Sequence, residues 1–111
     1  MARKPEQDFT IVASSGNVFA DIGVPEPEEE LAKAQLARYI RQVIKRRRLT
    51  QIAAASQMGI DQPKVSAIRT YKLTGISLER LMQALTALGQ HVEIIVRPCD
   101  RNTPARINVA A

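Results

Sequence analysis

Gln62, Lys64, Ser66 and Arg69 fall within one stretch of eight residues, and all four end in groups that donate or accept hydrogen bonds. A glutamine amide pairs bidentately with adenine, arginine and lysine donate to guanine, and a serine hydroxyl bonds to base edges or to phosphate. The chemistry open to this set is recognition of a duplex edge. Val65 and Ile68, three apart, take the inward side of the same helix and leave Gln62, Lys64, Ser66, Ala67, Arg69 and Thr70 toward solvent. An ordinary pair of antiparallel helices with a solvated polar face accounts for the same pattern. Without the flanking charge described below, the two readings stand level.

Reaction chemistry has little support. Cys99 is the single cysteine and His91 the single histidine, and no Ser, Cys or carboxylate pair is spaced to work with either. There is no phosphate-cradling glycine loop, no nucleophile elbow and no metal-ligand spacing, so neither enzymatic activity nor a cofactor is expected.

The polar set needs elements to position it, and the run from Leu49 to Leu73, LTQIAAASQMGIDQPKVSAIRTYKL, supplies them. Thr50 can cap a short helix from Gln51, because its hydroxyl accepts from an otherwise unpaired N–H of the first turn. Ala53, Ala54 and Ala55 favour helix and let a second helix cross closely. Met58 and Gly59 end that helix, since glycine enters the left-handed region without a Cβ penalty, and Ile60 plugs the corner. Asp61 caps a second helix from Gln62, with Pro63 in its first turn where a missing N–H costs nothing. The spacing predicts a helix-turn-helix.

Upstream, Pro25 and Pro27 introduce Glu28, Glu29 and Glu30, which suit the positive end of a helix. Leu36, Ile40, Val43, Ile44 and Arg47 recur at spacings of three and four, so one long helix follows. It ends in Lys45, Arg46, Arg47 and Arg48. Cations suit a helix C-terminus, but four in a row exceed what that end needs, and phosphate contact by at least one or two of them is expected. Arg46, Arg48, Gln51 and Lys72 are the candidate phosphate ligands. Residues 1–36 hold 3 Lys and Arg against 7 Asp and Glu, whereas residues 37–111 hold 13 against 4. The net charge of +5 therefore gathers around the helix-turn-helix, as a polyanion binder requires.

Downstream, Ser77 caps a helix whose Leu78, Leu81, Met82, Leu85 and Leu88 make a core face, and Gly89 closes it. From His91 to Arg97 the period becomes two, predicting a short strand bounded by Pro98. Its partner is expected to be an N-terminal segment, such as the short strand predicted over Phe9 to Ala13, or the same strand of a second copy. The homodimer is preferred, because one reading helix rarely supplies enough specificity. Residues 1–24 read as an arm with scattered apolar anchors at Val18, Phe19 and Ile22, residues 25–98 as the helical domain, and residues 99–111 as a disordered tail. With no apolar run long enough for a membrane span and no signal-peptide core in MARKPEQDF, a cytoplasmic protein is expected.

The motif LTQ followed by GIDQPKVSAI resembles the Xre/Cro, lambda-repressor-like helix-turn-helix family: Thr50, Gln51, Ala54, Gly59, Gln62, Val65, Ser66 and Ile68 stand where that family places its residues. The family often has Glu followed by Arg-Gly after the recognition helix, and this chain instead reads Arg69, Thr70, Tyr71. The order GNVFADIG, basic helix end, LTQ, IDQPKVS, ISLERLMQALTALG and HVEIIVRP is similar to the small HigA-like antitoxin subgroup, over roughly residues 16–98. The resemblance implies a mainly α, lambda-repressor-like domain of four to five helices with a short C-terminal β-strand. It also implies a sequence-specific autorepressor that binds operator DNA and pairs with a toxin protein. The alternative is a protein-interaction module that neutralises a toxin enzyme and binds DNA only weakly.

Overall fold

The computed structural model describes residues 27–102 and 105–110, and within them the chain forms four helices. These are α1 (Pro27–Arg47), α2 (Gln51–Met58), α3 (Gln62–Arg69) and α4 (Leu78–Ala87). The acidic first turn and basic last turn of α1 both oppose its dipole favourably. Three helices start on side-chain caps: Thr50 Oγ1 accepts from Ala53 N–H at 3.0 Å, Asp61 Oδ1 from Lys64 N–H at 2.9 Å, and Ser77 Oγ from Arg80 N–H at 3.1 Å. Each satisfies a backbone donor that the helix itself leaves unpaired.

The helix ends share one device. Arg48, Gly59, Tyr71 and Gly89, each just past the end of its helix, have φ of 55, 69, 59 and 81°. In each case the following N–H donates back to a carbonyl five residues earlier: Leu49 to Ile44, Ile60 to Ala55, Lys72 to Ala67 and Gln90 to Leu85, at 2.8–3.1 Å. This is the left-handed cap that glycine favours. Gly59 makes the turn between α2 and α3 as the sequence predicts. The exit from α3, where the chain reads Arg69, Thr70, Tyr71, turns in the same way as the glycine ends, with a tyrosine in the left-handed region.

α1 is the spine. It packs on α4 and α3, while α2 packs on α3 and α4. Ile40, Val65, Ile68, Leu81 and Leu88 are fully buried where these helices meet, and Ala54 and Ala55 let α2 approach closely. Ile60 packs at the corner, partly buried.

The N-terminal half of α1 buries polar groups as well. Lys33 Nζ lies 3.6 Å from Glu29 and 3.4 Å from Glu30 and donates to the Leu73 carbonyl. The Gln35 amide accepts from Val109 N–H at 2.8 Å and donates to Asn108 Oδ1 at 3.2 Å, and Glu28 accepts from Ile107 N–H. Residues 105–110, within the segment whose composition favours disorder, thus lie along α1, with Val109 against the core.

The predicted C-terminal strand is not formed. No strand occurs among the described residues, and 90–100 run without regular structure. A period of two describes a surface to be paired, and no backbone ladder is available to His91–Arg97 among the described residues. Ile94, Ile95 and Val96 are accordingly 73%, 65% and 90% exposed, and only Val92 packs against the helices. The N-terminal arm, including the strand expected at Phe9 to Ala13, lies outside the described residues. Among the described residues no helix is long and apolar enough to cross a membrane.

Candidate nucleic-acid interface

The helix-turn-helix formed by α2, Gly59 and α3 presents the outer side of α3 to solvent. Val65 and Ile68 are buried, whereas Gln62, Pro63, Ser66, Arg69 and Thr70 are exposed. Gln62, Ser66 and Arg69 stand four and three residues apart and share one face. Thr70 turns its hydroxyl back to the Ser66 carbonyl at 2.9 Å, which withdraws it from outward contact. Gln51, at the first position of α2, donates from Nε2 to the Gln62 carbonyl at 3.4 Å. A candidate phosphate ligand and a candidate base reader therefore sit side by side across the turn.

Lys64 is placed elsewhere. It is half-buried on the opposite flank of α3, with Nζ 3.5 Å from the Asp61 carboxylate. It lines a shallow depression with Lys72, Gly75 and Ile76. Asp61 is held below the usual carboxylate range, first by the backbone N–H of Lys64 that it caps and then by the Lys64 charge. The structure thus groups Lys64 with Lys72, at the side of the exposed polar face of α3.

Arg48 and Arg69 belong to a third group. They line an open groove between α1 and the exit of α3, together with Arg38, Arg41, Lys45 and Tyr71. No acidic residue lines it. Arg41 donates from Nη1 to the Tyr71 hydroxyl at 2.8 Å, with its guanidinium carbon 4.8 Å from the ring centroid. Arg46 is exposed on α1 and lines neither depression. Arg38 and Arg41 are the residues that attention to the terminal basic run passes over. Their signal is present in the sequence, since positions 38, 41 and 45 advance by three and four and so trace one helix face that runs toward Arg48.

The described side chains hold no group of three His, Cys, Asp or Glu arranged to ligate a metal. What the arrangement offers is an exposed amide, hydroxyl and guanidinium on one short helix, flanked on one side by a cationic groove. That is a helix-turn-helix of the kind that docks on duplexes.

Comparison with known proteins agrees. Residues 18–97 match the model of a helix-turn-helix domain family. A solved structure bearing the name XRE family transcriptional regulator is 53% identical, covers 78% of this chain and 99% of its own length, and superposes with a TM-score of 0.74. No curated protein matches. The chain belongs to the XRE family of helix-turn-helix proteins.

Proposed function

We propose that the protein is a sequence-specific DNA-binding transcriptional regulator that lays α3 in the major groove. Gln62, Ser66 and Arg69 read base edges from the exposed face, Lys64 reads from its flank once released from Asp61, and Gln51, Arg46, Arg48 and Lys72 hold phosphates. The observation that carries this reading is the exposed polar face of α3 set beside Gln51 and the acid-free groove, in a chain 53% identical to a protein named as a transcriptional regulator.

The finer reading is an autorepressor that works as a cytoplasmic homodimer, paired through the 91–97 segments on a two-fold axis. Its support is the alternating pattern there together with the exposure of Ile94, Ile95 and Val96. The order of motifs over residues 16–98 supports an antitoxin of the HigA-like kind with a toxin protein as second partner. Under the alternative reading, the same exposed apolar segment is the toxin-docking edge and DNA binding is secondary.

The test is fluorescence anisotropy with a duplex from the region upstream of the gene and with a shuffled duplex of the same composition. A regulator prefers the first by roughly a thousandfold or more at physiological salt. Gln62→Ala and Ser66→Ala should each lower that preference by about 1–3 kcal/mol. Equal affinity for both duplexes refutes the regulator reading and leaves the interaction module.

A further inference from the structure

The two residues that end α1 and α3 in the left-handed region without being glycine are Arg48 and Tyr71, and both line the same groove. Glycine ends the other two helices at no such cost. A strained backbone position that keeps a large side chain points to a use for that side chain. The groove also gathers like charges. Arg38, Arg41 and Lys45 succeed one another along one face of α1, with Arg48 just past its end, and neighbours of one sign at these spacings destabilise a helix. The helix dipole accounts for a cation in the last turn, but Arg38 and Arg41 lie outside that turn. Among the described residues none of the groove cations is paired with a carboxylate. Arg69, on the reading face of α3, closes the groove at its other side.

We propose that this groove is a clamp for the DNA backbone, in which Arg38, Arg41, Lys45 and Arg48 meet the phosphates that flank the base pairs read by α3. Tyr71 is its positioning residue: its hydroxyl and ring hold the Arg41 guanidinium toward the groove. The counter-charge that the cationic face lacks within the described chain is supplied by the duplex, and Arg69 makes the groove continuous with the reading face. The clamp rests on the DNA-binding reading above and lengthens its footprint beyond the helix-turn-helix.

The experiment measures the salt dependence of binding for the full chain, the double variant Arg38→Gln/Arg41→Gln and Tyr71→Gly, on the upstream and shuffled duplexes, each also trimmed from its ends. Two lost phosphate contacts lower the slope of log K against log salt by about 1.8. The double variant should show that loss on both duplexes, an unchanged preference between them, and less sensitivity to trimming than the wild type. Tyr71→Gly should weaken binding to both duplexes while its melting temperature stays close to that of the wild type; a merely structural tyrosine would leave binding alone. An unchanged slope in the double variant overturns the clamp, even where the wild type still prefers the upstream duplex and the regulator reading stands. A wild type without preference refutes the regulator reading, and the slope on the shuffled duplex then decides the clamp by itself. A wild type that binds neither duplex overturns both.

Discussion

Gly59→Ala isolates the cost of the helix-turn-helix corner. Gly59 has φ of 69°, and a Cβ built there meets nothing within 4 Å, so the substitution adds no clash and only the backbone penalty remains. An L-residue in the left-handed region costs about 1–2 kcal/mol. Alanine also restricts the unfolded chain, which returns about 0.4–1 kcal/mol. The net expectation is a destabilisation of about 1 kcal/mol, or a drop in melting temperature of about 4–8 °C for a domain of this size. Tyr71 provides the control in reverse. Tyr71→Gly relieves the same backbone penalty but loses the Arg41 contact, both the stacking and the exposed hydrogen bond to the hydroxyl, together about 1 kcal/mol, so its stability should stay near that of the wild type. Tyr71→Ala loses the stacking and keeps the strain. Urea titrations of all three variants should therefore separate Tyr71→Ala from Tyr71→Gly by about the same 1 kcal/mol that Gly59→Ala costs. A Gly59→Ala cost above about 3 kcal/mol, or no difference between the two Tyr71 variants, would refute the account of the helix ends as left-handed caps without steric crowding.

Three further outcomes follow from the core and the caps. Ile40 is fully buried at the centre of α1, so Ile40→Ala should cost about 2–5 kcal/mol by urea unfolding, whereas Ile52→Ala, at a side chain 67% exposed, should stay within about 0.5 kcal/mol. Because the folded state lowers the pKa of Asp61, its charge adds stability that is complete above the usual carboxylate value and is lost as pH falls through the folded pKa. Melting curves of wild type and Asp61→Asn should accordingly converge on acidification and differ most at neutral pH; a constant offset would show that the Asp61 charge plays no part. Thr50→Ala removes the cap on α2 and should cost about 1 kcal/mol in the same denaturation assay.

Much of this molecule is written in short-range signals. Thr50, Asp61 and Ser77 act on N–H groups three residues away, and Gly59 and Gly89 act on their own backbone, so helix starts and two of the four ends are legible from neighbours alone. The spacing of Val65 and Ile68 likewise determines which side of α3 is buried, and hence that Gln62, Ser66 and Arg69 are exposed. Charge counting located the basic part without showing its shape.

Only the tertiary structure decided which cations share a site. Lys64 and Arg69 are both exposed candidates on one helix in the sequence, yet Asp61 draws Lys64 to one flank while the crossing of α1 and α3 brings Arg69 beside Arg41 and Arg48 on the other. That grouping depends on residues some thirty positions apart, as does the bond from Arg41 to Tyr71, and no local pattern encodes the distance between them. The strand expected over His91–Arg97 and not formed marks the same boundary from the other side. Its alternation was real, but a strand exists only as one side of a ladder, and the sequence determined the readiness of those residues to pair without determining what they pair with.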